Sequence, residues 1–98
     1  MNSNGRIAIV TGGGSGVGKH SALALFRYGY CVVIAGRRIG PLEDTLKEAG
    51  SDCRMMAVET DVGDPESVDS LFTKTIEVFG RLDVLFNNAG GAAPRVLF

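Results

Sequence analysis

Short apolar runs alternate along the chain with longer segments in which apolar residues recur every three or four positions. The apolar runs cover residues 7–10, 31–35, 55–58 and 84–86, and continuous runs of this length are typical of strands buried on both faces of a parallel sheet. The segments with helical spacing cover residues 17–28, 41–49 and 65–79. Almost no residues separate these elements, so the pattern predicts the order βαβαβαβ.

Residues at the ends of the helical segments support this interpretation. Gly29, Gly50 and Gly80 directly follow the three segments, where glycine commonly ends a helix. The third helix is delimited most clearly, because Asp64 can cap free amides and Pro65 suits the first helical position. Right-handed crossovers and a reversal after the first strand give the order 3-2-1-4. We therefore expect an α/β fold with a four-stranded parallel sheet, in a single domain over residues 1–98, with two helices on one face and one on the other.

Composition and charge narrow the classes of partner. The chain is 45% hydrophobic and 21% charged with a formal net charge of -1, which is typical of globular proteins and does not favour binding to nucleic acid or to a membrane surface. No apolar stretch approaches the roughly 20 residues that span a bilayer, and the first residues do not form a signal peptide. Cys31 and Cys53 form no CxxC pair, so no disulfide is expected. These features favour a cytoplasmic protein with a small-molecule partner.

A glycine-rich turn joins the first strand to the first helix. It reads Thr11-Gly12-Gly13-Gly14-Ser15-Gly16-Val17-Gly18. Glycines permit a sharp turn and let the backbone approach a pyrophosphate closely, while the amino end of the following helix offers N–H groups to phosphates. The turn predicts a dinucleotide site, and a glycine loop without a ligand is the alternative.

The same stretch has the spacing of a P-loop. Four residues separate Gly13 from Gly18, and Lys19 follows. A P-loop needs a serine or threonine after the lysine to hold magnesium, whereas His20 stands there. A P-loop-like nucleotide binder is therefore the weaker interpretation, and no metal site is expected.

Three motifs in the chain resemble those of the short-chain dehydrogenase/reductase family. They are Thr-Gly-x-x-x-Gly-x-Gly from Thr11, Asp61-Val62 after the third strand, and Asn-Asn-Ala-Gly from Asn87 after the fourth. Their order and distances are similar to the family's over nearly the whole chain. The resemblance implies a Rossmann-type fold, truncated to its amino-terminal, cofactor-binding half, and a nicotinamide dinucleotide as cofactor.

The resemblance also assigns the cofactor contacts. Asp61 would accept a hydrogen bond from the adenine amino group and Val62 would pack near the base, although a turn or helix-cap role is the alternative for Asp61. Asn87 would brace the sheet against the glycine turn. The residues implied at the pyrophosphate and its ribose are Gly12, Ser15, Gly16, Val17 and Gly18. Those implied on the ribose side are Asn88, Ala89 and Gly90, for which a plain strand-end turn is the alternative.

The end of the second strand favours NADP over NAD. NAD-binding sites place an acid there to bind the ribose hydroxyls, but this chain has Gly36 followed by Arg37 and Arg38. The planar guanidinium of Arg37 suits a 2′-phosphate. The alternative is that the arginines face water, and for Arg38 it is the preferred interpretation. Ser15 departs from family members that carry a basic residue at that position, so NAD stays possible.

The family's catalytic residues are not found in this sequence. Its chemistry depends on a Tyr-x-x-x-Lys pair with a serine, whereas Tyr28 and Tyr30 are followed four residues later by Val32 and Ile34 and are expected to be packing residues. We therefore expect a truncated oxidoreductase. The complete protein would transfer hydride between NADP(H) and a carbonyl or alcohol, and the 98 residues alone would be inactive, with no catalytic residue assigned.

Other functions and partners follow from the same pattern. The alternatives are a dinucleotide-binding module without catalysis and an interaction module whose site is vestigial. The fourth strand is apolar and is expected at a sheet edge, and one sheet face is expected to be covered by a single helix. Both features predict self-association, through that edge or through the uncovered face.

Overall fold

The computed structural model describes residues 6–12, 14, 16–50, 54–87 and 95–97. The elements within these residues, in chain order, are β1 (Ile7–Thr11), α1 (Gly16–Arg27), β2 (Cys31–Gly36), α2 (Ile39–Glu48), β3 (Met55–Glu59), α3 (Pro65–Phe79), β4 (Val84–Asn87) and β5 (Arg95–Leu97). All seven predicted elements are present, with ends that differ by one or two residues at most. β5 is additional.

The ends of α3 coincide with the prediction because local chemistry fixes them. The Asp64 carboxylate accepts a hydrogen bond from the N–H of Glu66 at 3.0 Å, and Pro65 is the first helical residue. Gly80 ends the helix with φ of 85°, and its N–H donates to the carbonyl of Ile76 at 2.8 Å. Glycine adopts this left-handed conformation without strain.

The sheet has the order β3-β2-β1-β4-β5. The pairs β1/β2, β1/β4 and β2/β3 are parallel, which confirms the predicted four-stranded order 3-2-1-4. β5 pairs with β4 in the antiparallel direction. The prediction that the fourth strand lies at an edge is therefore wrong, and the expected self-association through that edge loses its structural basis. A run of three residues is too short to give a periodic signal in the sequence.

Two apolar clusters lie on opposite faces of the sheet. On one face Val10, Val32 and Ile34 pack with residues of α1 and α2, including Phe26 and Leu42. On the other face the strands pack with Leu71 of α3. This confirms the predicted division of the helices between the faces.

Burial of the strands is less uniform than predicted. Every residue of β1 and the central four of β2 are buried, but Met56 and Ala57 in β3 and most of β4 are only half-buried. The prediction of strands buried on both faces is therefore right for β1 and β2 and wrong for β3 and β4. The reason is that β3 lies at a sheet edge and that α3 alone covers the second face.

Side chains at the amino ends of the strands form hydrogen bonds with one another and with the backbone. The Asp83 carboxylate accepts hydrogen bonds from the guanidinium of Arg81 and from the N–H of Ile7, the latter at 2.8 Å, and these bonds lower the pKa of Asp83. A hydrogen bond with Tyr30 raises the pKa of Arg6. The rings of Tyr28 and Tyr30 stack with centroids 6.4 Å apart. Tyr30 packs against the core as predicted, whereas Tyr28 is 74% exposed and does not. Among the described helices, none is both long enough and apolar enough to cross a membrane.

Candidate functional site

The carboxyl ends of the parallel strands meet at one edge of the sheet. Thr11 at the end of β1 lies beside Ala35 in β2 and Asn87 in β4, and Gly36 at the end of β2 lies beside Glu59 in β3. The glycine-rich turn, the arginine pair and the Asp61 turn each follow one of these ends. In open parallel sheets, ligands bind outside this edge, near the point where the strand order reverses. Here the reversal lies between β1 and β4.

A cavity of about 440 Å³ opens at this edge, which is within the usual range of small-molecule sites. Three chain segments and the start of α2 form its wall. The lining residues are Gly12, Gly14, Gly36, Arg37, Arg38, Pro41, Leu42, Thr60, Asp61, Val62 and Gly63. Of the cofactor contacts predicted from the sequence, the structure brings four together in this cavity, namely Gly12, Arg37, Asp61 and Val62.

The glycine-rich turn leaves β1 in a conformation that glycine favours. Gly12 has φ of 70°, and its N–H donates to the carbonyl of Ala35 at 2.7 Å, which ties the start of the turn to β2. Gly16 begins α1 with φ of 57°. The predicted residues Gly16, Val17 and Gly18 form the first turn of this helix and are not among the lining residues of the cavity. Ser15, another predicted contact, lies outside the described residues.

The arginine pair lies between the end of β2 and the start of α2. Both Arg37 and Arg38 are exposed, and both border the cavity. Arg38 holds the N-cap position of α2 without a side-chain capping bond. Sequence reasoning assigned only Arg37 to the site and preferred the water-facing interpretation for Arg38. The sequence offered no signal for Arg38, because the predicted helix begins at residue 41, whereas α2 begins at Ile39.

Asp61 occupies a turn held by several hydrogen bonds. Its Oδ1 accepts from the N–H of Gly63 at 2.9 Å, and its own N–H donates to Oγ of Ser67 at 2.9 Å. Its carbonyl accepts from the N–H of Asp64 at 3.0 Å. Asp61 is thus a turn aspartate as well as a lining residue. An ionised carboxylate has about four acceptor positions, so one bond to Gly63 leaves others for a ligand.

An apolar surface adjoins this carboxylate. The side chain of Val62 is 42% exposed and borders the cavity. Thr60 is buried beneath, where its hydroxyl donates to the carbonyl of Val58 at 3.0 Å. Sequence reasoning did not select Thr60 or Gly63, because neither residue type by itself indicates binding. Their adjacency to Asp61-Val62 was the available signal.

The end of β4 is tied to the glycine-rich turn. The hydroxyl of Thr11 donates to Oδ1 of Asn87 at 2.9 Å, which confirms the predicted bracing role of Asn87. The remaining predicted contacts in this motif, Asn88, Ala89 and Gly90, lie outside the described residues.

The environment of Lys19 bears on the P-loop interpretation. A P-loop would direct this lysine at phosphate, whereas here it forms an ion pair with Glu48 of α2. The ion pair therefore counts against a P-loop. In the described parts of the chain, no three histidine, cysteine or acidic residues are grouped as a protein-built metal site would require.

Comparisons with known proteins agree with the motifs. The model of the short chain dehydrogenase family matches residues 6–97. An uncharacterised oxidoreductase of Staphylococcus haemolyticus is 44% identical over 87 residues, which are 89% of this chain and 37% of that protein.

Solved structures share the fold. The apo form of glucose dehydrogenase of Caenorhabditis elegans matches with a TM-score of 0.83 and 36% identity, over 90% of this chain and 39% of that one. A short chain dehydrogenase/reductase from Burkholderia phymatum in complex with NAD matches with a TM-score of 0.79 and 30% identity, over 83% and 29%. The chain thus spans between 29% and 39% of the length of these three proteins. With a family model matched over residues 6–97, the chain belongs to the short chain dehydrogenase family.

Proposed function

We propose that residues 1–98 form a partial dinucleotide-binding domain that holds NADP(H) in an oxidoreductase. The complete protein would transfer hydride between the nicotinamide and a carbonyl or alcohol. The observation that carries the proposal is one cavity at the carboxyl edge of the sheet that is bordered by Gly12, by two arginines and by Asp61 with Val62. The Burkholderia phymatum relative, which was solved with NAD, supports a dinucleotide as the ligand.

The adenine would lie against the Asp61 turn. A carboxylate only accepts hydrogen bonds, so Asp61 suits the amino group of adenine and rejects a base that carries a carbonyl oxygen at the same position. The exposed side chain of Val62 offers an apolar surface to the base. Because Gly63 and Ser67 hold the turn through hydrogen bonds, the carboxylate needs little ordering when the base binds.

The pyrophosphate and its ribose would lie at the glycine-rich turn and the amino end of α1. N–H groups in the first turn of a helix have no partner within the helix, and the helix dipole favours negative charge there. We assign Gly12, Ser15, Gly16, Val17 and Gly18 to this part of the cofactor. Asn88, Ala89 and Gly90 would lie on the ribose side.

The arginine pair is the basis for proposing NADP rather than NAD. Asp61, two residues beyond β3, is the one acidic residue among the lining residues in the described part of the chain, and Gly36 stands where an NAD site would carry its acid. Arg37 and Arg38 would bind the 2′-phosphate, and charge-assisted hydrogen bonds of this kind are worth about 1.5–3 kcal/mol each.

Calorimetric titration of the double variant Gly36→Asp, Arg37→Ala with NADP and NAD tests this preference. The new acid would bind ribose hydroxyls and repel the extra phosphate, so the ratio of NADP affinity to NAD affinity should fall by about tenfold or more. A Cβ at Gly36 would lie 3.3 Å from Cδ2 of Leu42, which requires a small shift of that side chain. The matched control is therefore Gly36→Ala, Arg37→Ala, which adds the Cβ without the acid. An unchanged ratio in the aspartate variant would show that the loop is wrongly assigned.

Catalysis is not expected from these residues alone. In the 98-residue sequence no tyrosine is followed four positions later by a lysine, so a positioned proton donor of the family's kind is missing. The isolated chain should leave the absorbance of NADPH unchanged with a panel of carbonyl compounds. Turnover that survives repurification and disappears in Asp61→Ala would contradict this expectation.

We also propose that the isolated chain associates with a second copy through the sheet face that carries α3. Half-buried Leu82 and Leu85 adjoin the α3 cluster, and on α3 itself Ile76 is 48% exposed. Apolar surface of this kind favours association. Sedimentation at micromolar concentration should show a dimer or larger species that Ile76→Glu weakens and that Ser70→Glu does not, because Ser70 is exposed on α3 but does not share the face of Ile76. A monomer in all three proteins would contradict the proposal.

A further inference from the structure

Gly14 contacts α2 at a point where no side chain fits. A Cβ on Gly14 would lie 2.7 Å from Cβ of Pro41, 3.3 Å from the carbonyl carbon of Pro41 and 3.4 Å from the nitrogen of Leu42. Carbon atoms in contact normally lie about 3.5–4.0 Å apart. Gly14 is not among the glycines with positive φ, so space, and not backbone conformation, requires glycine here.

Pro41 cannot retreat easily from this contact. Its ring fixes φ near -65°, and its carbonyl accepts a hydrogen bond from the hydroxyl of Thr45 at 3.3 Å. Leu42, the next residue, is 1% exposed and packs over Gly36. The first turn of α2 is therefore held in place by buried neighbours on its own helix.

The arginine pair lies between two such close contacts. At one end Gly36 lies under Leu42, and at the other Gly14 lies against Pro41. Arg37 and Arg38 stand between them in the chain, and all of these residues border the cavity. The bond from Gly12 to Ala35 fixes the start of the glycine-rich turn beside β2, and the approach of Gly14 to Pro41 then fixes the distance from the rest of the turn to the start of α2, which the arginines precede.

We propose that Gly14 and Pro41 are a positioning pair whose close contact sets the spacing between the glycine-rich turn and the two arginines, and thereby the preference for a 2′-phosphate. The inference rests on the proposed function. In it neither residue touches the 2′-phosphate. The pair acts by placing the arginines at the distance that a dinucleotide with its pyrophosphate on the glycine-rich turn requires.

The test is a double-mutant cycle in the full chain. Gly14→Ala introduces the Cβ that meets Pro41 and should displace the start of α2. Misplacing a charge-assisted contact forfeits most of its energy, so the NADP to NAD affinity ratio should fall by about tenfold. Adding Pro41→Gly removes the opposing Cβ and should restore the ratio to within about threefold of that of Pro41→Gly alone, as coupled neighbours require. Adding Pro41→Ala keeps the Cβ and should not restore it.

Gly40→Ala is the matched control. It makes the same substitution in the first turn of α2, at a position where a Cβ would meet nothing within 4 Å, and should leave the ratio unchanged. Backbone amide chemical shifts of residues 37–40 and 42 give a second measurement that needs no ligand. They should change in Gly14→Ala and return towards those of Pro41→Gly in the Gly14→Ala, Pro41→Gly variant.

Each outcome bears on either the inference or the proposed function. If the wild type binds neither dinucleotide, the proposed function fails while the shifts still test the contact. If it binds NADP preferentially but Gly14→Ala moves neither the shifts nor the ratio, the inference fails alone. If the shifts move without the ratio, the pair is structural and the inference is overturned. If Gly14→Ala does not fold, the variant Gly14→Ala, Pro41→Gly must restore both folding and the NADP to NAD affinity ratio. If that variant folds but does not recover the ratio, the inference is overturned.

Discussion

Asp61 follows the carboxyl end of β3, whereas Asp83 precedes the amino end of β4. The two carboxylates therefore lie at opposite ends of the parallel strands, and they have different roles. Asp83 has both oxygens engaged within the protein, Oδ1 by Arg81 and Oδ2 by the N–H of Ile7. Asp61 uses Oδ1 for the N–H of Gly63, and no ion pair to it is found in the described part of the chain. A carboxylate whose bonds are complete contributes to stability, whereas one that borders a cavity with acceptor positions left over is available to a ligand.

Asp61→Ala should have the largest effect and should act on binding. Loss of a charged acceptor for the adenine amino group is worth about 1.5–3 kcal/mol, or about ten- to a hundredfold in affinity for NADP. The free energy of unfolding should fall by less than about 1 kcal/mol, because the turn that Asp61 closes is exposed. Calorimetry for binding and urea denaturation for stability measure the two effects. A loss of stability as large as the loss of binding would make Asp61 a structural residue.

Asp83→Ala should give the reverse. It removes the bonds to Arg81 and to the N–H of Ile7, and the free energy of unfolding should fall by about 1–2 kcal/mol. NADP affinity should stay the same, because Asp83 lies at the amino ends of the strands and the cavity lies at their carboxyl ends. Glu77→Ala, which removes an exposed carboxylate of α3, is the control for the change in charge. A fall in affinity without a fall in stability would contradict the assignment of Asp83 to stability and of Asp61 to binding.

The smallest expected effect is on the pH dependence of stability. Hydrogen bonds from Arg81 and Ile7 lower the pKa of Asp83, so the folded chain binds this proton less readily than the unfolded chain. Its contribution is present in full above the unfolded pKa of about 3.9 and is lost as the pH falls through the lower folded pKa. Urea denaturation at a series of acidic pH values should show a steeper loss of stability in the wild type than in Asp83→Asn. If the stability of the two proteins falls in parallel with pH, Asp83 is not a cause of the acid sensitivity.

The elements of the fold were predictable because their signals are local. Asp64, Pro65 and Gly80 define α3 by bonds to their nearest neighbours along the chain, and the apolar runs define four strands. β5 was not predictable, because three residues carry no period and its pairing with β4 is a tertiary contact. The half-burial of β4 follows from the single helix that covers one face, which the sequence did predict, but the apolar run of β4 by itself indicated full burial.

The candidate site divides in the same way. Motifs indicated Gly12, Arg37, Asp61 and Val62, since each follows the end of a strand. The wall formed by Arg38 and Pro41 depends on where α2 docks, which is decided by Leu42 over Gly36 and by the approach of Gly14. Such contacts join residues far apart in the sequence, so residue type alone does not reveal them.

The most direct test of the central claim is calorimetric titration of the wild-type chain with NADP and with NAD at the same salt concentration. If the cavity holds a dinucleotide with its 2′-phosphate at the arginine pair, NADP should bind at least about tenfold more tightly than NAD, and the difference should shrink as salt screens the phosphate contacts. Equal affinities, a preference for NAD, or no binding of either dinucleotide would contradict the account.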